Sequence, residues 1–120
     1  MNKTRVLLAN HPVMVPEAIR LLVAEQEDME VVGDCGGPMK ILQETGRTKA
    51  DAVILIQEDT NEPAICGQLL AVYPDVIIMS INPDLTAGFT LQLCPHRREF
   101  SDRHPGDIVQ PLRAAIKMGC

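Results

Sequence analysis

Aromatic residues are scarce in this chain of 120 residues, which contains no Trp, one Tyr and two Phe. Apolar residues nevertheless make up 46% of the sequence, so the core has to be built from Val, Ile, Leu, Met and Ala. Side chains of this kind suit a sheet covered by helices. A chain of this length lies near the commonest domain size and buries about two-thirds of its unfolded surface. We therefore expect a single domain over residues 1–120.

Basic residues are also in the minority, since 16 acids against 11 bases give a formal net charge of −5. They are scattered except for Arg97, Arg98 and Arg103. Nucleic acid is therefore not expected as a direct partner. No apolar run approaches the roughly 20 residues of a membrane span, and no charged stretch leads into an apolar segment at the start. We expect a soluble protein with no membrane partner.

No C-x-x-C pair occurs among the four cysteines, which are Cys35, Cys66, Cys94 and Cys120. Disulfide frameworks belong mostly to small secreted domains that have too little core. Free thiols in a reducing, cytoplasmic location are the expectation here.

Short runs rich in Val and Ile alternate along the chain with helical patterns. Four strands are predicted, at Arg5–Ala9, Glu30–Gly33, Ala52–Ile56 and Val76–Ile81. Each of the first three is followed by a predicted helix, at Pro16–Gln26, from Gly36 to Gly46, and at Pro63–Val72. The third strand is apolar on both faces, as in a central parallel strand that is covered on both sides. This alternation predicts an α/β fold with a parallel sheet between two layers of helices.

The alternation fails after the fourth strand. Only seven residues, Asn82–Gly88, precede the next strand-like run, Phe89–Leu93. A crossover that includes a helix needs at least about 10 to 12 residues. The fourth helix is therefore predicted to be missing or replaced. The last strand then either turns back antiparallel beside the fourth strand or reaches the edge through an irregular loop.

Beyond that strand, residues 94–104 are predicted to form a loop or a weak edge strand. A final helix follows, with Asp107 as its predicted N-cap and Gln110 at the third position. Pro111 should kink this helix or delay its start. Its buried face is predicted to consist of Ile108, Leu112, Ala115 and Ile116.

The segments RVLLANHPVMVPEAIRLL, MEVVGDC, ADAVILI and YPDVIIMSI resemble, in order and spacing, a bacterial response-regulator receiver domain of the type that precedes DNA-binding output domains. The resemblance covers roughly residues 4–81 and, more loosely, the final helix. It implies a doubly wound, flavodoxin-like fold with a mainly parallel five-stranded sheet. It also implies a working site at the carboxyl ends of the strands.

Phosphoryl transfer in receivers uses an acid pair that binds Mg²⁺, an Asp nucleophile ending the third strand, a Ser or Thr ending the fourth and a Lys ending the fifth. By position, Asn10 stands where one of the acids would be. Ile56 stands at the nucleophile position, and a register shift of one residue brings in Gln57 or Leu55. The hydroxyl position falls on Asn82, with Ser80 as the alternative. Without the metal and the Lys, the charge on the phosphoryl oxygens is not neutralised.

Two absences support the same conclusion. The first sixteen residues contain no Asp or Glu, and no lysine lies between Lys49 and Lys117. His11 would lie at the mouth of the old pocket, where it either titrates near neutral pH or fixes the turn into the first helix. The resemblance thus implies a vestigial phosphoacceptor pocket made of Asn10, His11, Ile56, Gln57, Ser80 and Asn82.

Other residue groups allow sharper hypotheses, each beside a plainer one. Asp59 with Glu58 and Glu62 is a displaced phosphoacceptor or a solvated acidic turn. Cys94 and His96 with His104 form a metal site or solvated loop residues, although zinc sites usually have two close ligand pairs.

Gly36–Gly37 cradles a phosphate or makes a tight turn, although the G-x-G-x-x-G pattern is absent. Arg97, Arg98 and Arg103 form a patch for an anion or an acidic partner, or they belong to a solvated charged loop.

The favoured hypothesis is a degenerate, non-phosphorylatable receiver-like domain that acts as a protein-interaction module in bacterial two-component-type signal transduction. It has no catalytic residues, metal site or cofactor. A homodimer is expected because a missing helix leaves part of the sheet uncovered. Its candidate interface residues are Leu91, Leu93, Phe100, Ile108 and Leu112. The alternatives are a small-molecule or nucleotide sensor on a flavodoxin-like frame and an atypical phosphoacceptor.

Overall fold

The computed structural model describes residues 3–11, 13–57, 64–92, 98–101 and 105–118. The described strands are β1 Thr4–Asn10, β2 Met29–Gly36, β3 Ala52–Ile56, β4 Ile77–Ile81, β5 Gly88–Leu91 and β6 Arg98–Phe100. The described helices are α1 Glu17–Ala24, α2 Pro38–Arg47, α3 Ala64–Val72 and α4 Val109–Met118, with a short 3₁₀ helix at Pro105–Asp107 before the last of them.

All six strands belong to one sheet with the order β2-β1-β3-β4-β5-β6. β1 is parallel to β2 and to β3, and β3 is parallel to β4. β5 is antiparallel to both β4 and β6, so the sheet is mixed. The predicted α/β class is confirmed, but the predicted number of five strands is wrong. The sixth strand is the short edge strand β6, which pairs with β5 through residues 98–100.

The central strand β3 explains why helices lie on both sides of the sheet. Its five residues are all buried, and their side chains point alternately to the two faces. On one face Ile54 and Ile56 belong to a core shared with α1 and α4. On the other, Val53 and Leu55 belong to a core shared with α2 and α3. A strand that is apolar on both faces needs a layer of helices on each.

A tight hairpin joins β4 to β5, and the fourth helix is missing there as predicted. The Asn82 N–H donates to the Ala87 carbonyl over 2.8 Å, and the Leu85 N–H donates to the Asn82 carbonyl over 2.9 Å. The side-chain oxygen of Asn82 accepts hydrogen bonds from the Thr86 and Ala87 N–H groups at 2.9 and 3.2 Å. This turn reverses the chain, so the antiparallel alternative for the last predicted strand is the observed one.

The final helix begins later than the capping prediction implied. Asp107 lies in the 3₁₀ helix, two residues before the first residue of α4, so its assignment as N-cap is wrong. Pro111 is the third residue of α4, where a missing N–H leaves no hydrogen bond unmade, and it is therefore accommodated by this later start. The buried face is as predicted, with Ile108, Leu112 and Ala115 buried.

Arg113 fastens α4 to the turn between α1 and β2. Its guanidinium donates to both carboxylate oxygens of Asp28 at 2.8 and 3.0 Å, and to the Gln26 side-chain oxygen at 2.9 Å. The hydrogen bonds to Asp28 raise the pKa of Arg113. The Asp28 carbonyl also accepts the Thr4 N–H at 2.8 Å, so this turn holds the start of the sheet as well.

None of the helices in the described ranges is both long enough and apolar enough to cross a membrane.

We predict that Gly88→Ala strongly destabilises the β4–β5 hairpin. A Cβ at this position would lie 2.0 Å from the backbone oxygen of Ser80, which cannot move without breaking the strand pairing. We expect the free energy of unfolding in urea to fall by about 3 kcal/mol, as in other overpacked sites. Gly106→Ala is the control, because nothing lies within 4 Å of its added Cβ. Equal stability of the two variants would show that the hairpin is not as tight as described.

Candidate functional site

The carboxyl ends of the parallel strands β1, β3 and β4 meet at one edge of the sheet, which we call the carboxyl edge. Ile56 at the end of β3 lies beside Ile81 at the end of β4. The backbone N–H of Gln57 donates to the Ile81 carbonyl at 2.9 Å. This is the edge at which the resemblance places phosphoryl chemistry.

An apolar plug closes the carboxyl edge over β3. It consists of Val15, Ile56, Ile81 and Leu85, which are buried in one core cluster. Ile56 is only 1% exposed. The loop after β1 returns beside it, because Val13 forms an isolated antiparallel backbone bridge with Ile56. The position that the resemblance assigns to the nucleophile therefore holds a buried aliphatic side chain.

Beside the plug, three polar side chains form what we call the polar latch: Asn10, Asp34 and Arg20. The Asn10 side-chain N–H donates to one carboxylate oxygen of Asp34, and the Arg20 guanidinium donates to the other. The Asn10 side-chain oxygen accepts the Val15 N–H at 2.7 Å. Asn10 thus donates with one end of its amide and accepts with the other, which a carboxylate cannot do. The latch thus holds the loop that contributes Val15 to the plug.

Sequence reasoning missed Asp34 and Arg20. Asp34 lies opposite Leu8 in the β1–β2 register, which shifts by one residue after Val6. The signal was an acid near the end of the second strand, next to the end of the first. Its pairing with Asn10 depends on this register. Its ion pair with Arg20 depends on the packing of α1, since Arg20 lies 14 residues earlier in sequence.

The other vestigial-pocket residues do not converge on Ile56. Ser80 is 3% exposed and pairs with Leu55, whose side chain belongs to the core on the opposite face of the sheet from Ile56. Asn82 makes the hairpin turn described above. Gln57 is buried, and His11 is half-buried in the loop after β1.

Two of the sharper hypotheses rest on residues outside the described ranges: Glu58, Asp59 and Glu62, and Cys94, His96 and His104. Arg97 and Arg103 lie outside them as well, and Arg98 begins β6. Within the described ranges, no group of three or more His, Cys, Asp and Glu side chains is placed to hold a metal ion.

Gly36 and Gly37 serve the tight turn between β2 and α2. Gly36 ends β2, and Gly37 takes a φ of +86° just before Pro38 opens α2. This left-handed backbone is accessible mainly to glycine. The turn interpretation of this pair therefore explains both residues without a ligand.

The candidate interface residues lie mostly inside the chain. Leu91, Ile108 and Leu112 are buried, and Phe100 packs partly buried against the core of α1 and α4. Leu93 lies outside the described ranges. The three buried side chains already fill this chain's own core, so they offer no surface to a partner. Large apolar side chains are exposed elsewhere, at Met14, Leu21, Met39 and Val72.

Cys35 and Cys66 are reduced cysteines rather than members of a disulfide, as expected. Cys66 is buried, and Cys35 is half-buried beside the core of α2 and α3. Burial raises the pKa of the Cys35 thiol, so its reactive thiolate form is disfavoured at neutral pH. Cys94 and Cys120 lie outside the described ranges.

Comparison with models of protein families, with curated proteins and with solved structures found no match for this chain.

We predict that Asn10→Asp weakens the polar latch. The variant loses the donor to Asp34 and places two carboxylates side by side, so the free energy of unfolding should fall by about 1 kcal/mol at pH 7. Two neighbouring carboxylates raise one of their pKa values in the folded state. The deficit should therefore shrink as the pH falls through that raised pKa, because the folded variant then binds more protons than the unfolded one.

Millimolar Mg²⁺ should also reduce the deficit, since an acid pair is a ligand for this ion. Asn82→Asp is the matched control, because its side-chain oxygen still accepts the two backbone N–H groups of the hairpin. Urea titrations between pH 4 and pH 7, with and without Mg²⁺, make the comparison. An Asn10→Asp variant as stable as the parent at pH 7 would contradict the latch.

Proposed function

We propose that this chain is a degenerate, receiver-like domain that does not accept phosphate and that acts by binding protein, in bacterial two-component-type signalling. The observation that carries the proposal is the apolar plug at the carboxyl edge. The receiver-like strand sequence leads to this edge, while the side chains there are packed as a core.

The strand order supports the fold part of the proposal. The first five strands have the order β2-β1-β3-β4-β5, which is the order of flavodoxin-like doubly wound sheets. The helices lie on both faces, with α1 and α4 on one and α2 and α3 on the other. This sheet departs from a flavodoxin-like sheet in two features, the antiparallel β5 and the added β6. Both follow from the short β4–β5 hairpin.

The chemistry of phosphoryl transfer argues against a working site at this edge. The reaction needs a nucleophilic oxygen and cations placed around the transferred group. Ile56 has no lone pair to attack phosphorus, and its side chain is buried with Val15 and Ile81 in one core cluster. The charged groups of the polar latch are already engaged, because Asp34 accepts hydrogen bonds from both Asn10 and Arg20.

The outer face of α3 is the surface we propose for self-association. α3 contains no charged residue, and Gln68 is its one amide side chain, so its exposed side is unusually poor in polar groups for a surface helix. Its exposed positions include Ala64, Gly67, Gln68 and Ala71. In a chain with a net charge of −5, a neutral face is one on which two copies meet without repulsion.

Gly67 gives a second reason for choosing this face. Glycine inside a helix is destabilising relative to alanine, and nothing lies within 4 Å of a Cβ built at Gly67. The fold of a single chain therefore does not require glycine there. Close approach of the α3 backbone of a second copy would require it, and a two-fold pairing of this kind is the commonest symmetry.

We predict that the protein takes up no phosphoryl group. After treatment with acetyl phosphate and Mg²⁺, intact-mass spectrometry should show only the unmodified 13.2 kDa chain. Beryllofluoride should leave the melting temperature unchanged, because no carboxylate replaces Ile56. A stoichiometric phosphoaspartate would overturn the proposal, and mapping it by peptide mass would test Asp59 as the acceptor.

We also predict that the chain forms a dimer at micromolar concentration and that Gly67→Glu dissociates it. The new carboxylate would stand beside its copy across the two-fold axis and would hold the helices apart. Sedimentation velocity should give twice 13.2 kDa for the parent and 13.2 kDa for the variant.

Gln43→Glu is the control for the dimer experiment, since it adds the same charge at an exposed position of α2. It should leave the dimer intact. A monomeric parent protein, or a Gly67→Glu variant that remains dimeric, would remove α3 as the interface.

A further inference from the structure

A cleft of about 340 Å³ opens at the opposite edge of the sheet from the plug, where β3 and β4 begin. It lies between the ends of α2 and α3, and its lining includes Thr45, Lys49, Asp51, Val72, Tyr73 and Asp75. Its volume lies within the range of small-molecule sites, roughly 300 to 1,000 Å³. None of the sequence hypotheses concerned this region.

Lys49 enters the cleft from a strained backbone. Its φ is +54°, and it follows the last turn of α2 at the position where glycine normally ends a helix. The Lys49 N–H donates to the Gly46 carbonyl at 3.2 Å and the Ala50 N–H donates to the Thr45 carbonyl at 3.1 Å, which is the hydrogen-bond pattern of a Schellman motif. A lysine here costs stability that glycine would not. Such outliers cluster at ligand sites, which makes the lysine side chain the feature to explain.

Charges of both signs line the cleft. In the described part of the chain, no ion pair joins Lys49 to Asp51 or to Asp75. One oxygen of Asp51 accepts the Arg5 N–H at 2.9 Å, which orients this carboxylate. The carboxyl ends of α2 and α3 both border the cleft and add partial negative charge.

Tyr73 supplies a fixed wall. Its hydroxyl donates to the Leu42 carbonyl at 2.8 Å, and the ring end lies so close to α2 that a Cβ on Gly46 would meet the hydroxyl oxygen at 2.4 Å. Val72, which is 58% exposed, continues the apolar side of the cleft. One side of a ligand can therefore pack on apolar surface while the other side meets the charges.

We propose that this cleft binds a small zwitterion of the α-amino-acid type that has an apolar side chain. Its carboxylate would meet the ammonium of Lys49, its ammonium would meet Asp51 and Asp75, and its apolar part would lie along Tyr73 and Val72. A simple anion is disfavoured by the two acids and by the helix ends, and a simple cation is disfavoured by Lys49. A zwitterion carries one group of each sign, so it can pair with the Lys49 ammonium and with the two carboxylates. This inference does not rest on the proposed function, because the cleft and the plug lie at opposite edges.

The test is a titration of the ¹⁵N-labelled full chain with L-leucine, isoamylamine and 4-methylpentanoate, followed by amide chemical shifts. The two analogues keep the leucine side chain, and each lacks one of the two charges. We expect leucine to shift the resonances of the cleft, including Lys49, Asp51 and Tyr73, and each analogue to bind at least about tenfold more weakly. An unresponsive cleft at 10 mM leucine, or an analogue that binds as tightly as leucine, would overturn the proposal.

Lys49→Gly separates binding from stability. It should raise the melting temperature, because glycine accepts the left-handed backbone, and it should weaken leucine binding at least about tenfold. Lys49→Asn tolerates the same backbone without the charge and should weaken binding equally. Lys40→Gln removes a positive charge from an exposed position of α2 and should leave the Kd unchanged. Unchanged binding in both Lys49 variants would refute the role of its ammonium.

Discussion

Burial of β3 on both faces is the constraint on which the rest of this structure depends. All five of its residues are buried, between β1 on one side and β4 on the other. Because alternate residues point to opposite faces, a strand of this kind divides the interior into two cores. Each core then needs its own pair of helices, and the crossovers make β1, β3 and β4 parallel. Because these strands are parallel, their carboxyl ends lie together at one edge of the sheet and their amino ends lie together at the opposite edge.

Burial of β3 on both faces also explains why the carboxyl edge is packed with apolar side chains. A strand that is apolar to its last residue has to be covered where it ends, and Ile56 is buried in a cluster to which the loop after β1 contributes Val15. The Asn10 amide keeps that loop in place by accepting the Val15 N–H and donating to Asp34. Asn10 and Ile56 therefore act together at this edge. The Asn10 amide fastens the loop, and Ile56 is buried in the core at the end of β3.

How much of the fold and of the candidate site could be predicted depends on how far apart in sequence the interacting residues are. Local apolar patterns predicted β3 with its observed bounds and β1 and β4 to within one residue at each end, and the missing fourth helix followed from counting the residues between two strands. The edge strand β6 is three residues long and exists only through its pairing with β5, so no local pattern marked it with certainty. The latch and the cleft bring together residues from different elements, which a single sequence does not reveal.

The interface prediction shows a different limit, because two expectations competed for the same side chains. Ile108 and Leu112 were assigned both to the buried face of the last helix and to a surface that a partner would cover. The structure resolves this in favour of the chain's own core, since both are almost fully buried. The Gln92 side chain also donates to the Ala115 carbonyl at 3.3 Å, which ties α4 to the strand beside it. Counting apolar residues gives the amount of surface to be buried but not what buries it.

The β4–β5 hairpin links these observations. A connection too short for a helix reverses β5, and the reversed strand leaves an edge on which β6 adds. α4 then packs on the face that it shares with α1, and Arg113 closes it onto Asp28, 85 residues earlier in the chain. The added strand and the returning helix use the apolar residues around the hairpin within a single chain. On the other face, the described residues leave exposed the uncharged side of α3 and the cleft where α3 ends, and these are the two binding surfaces proposed above.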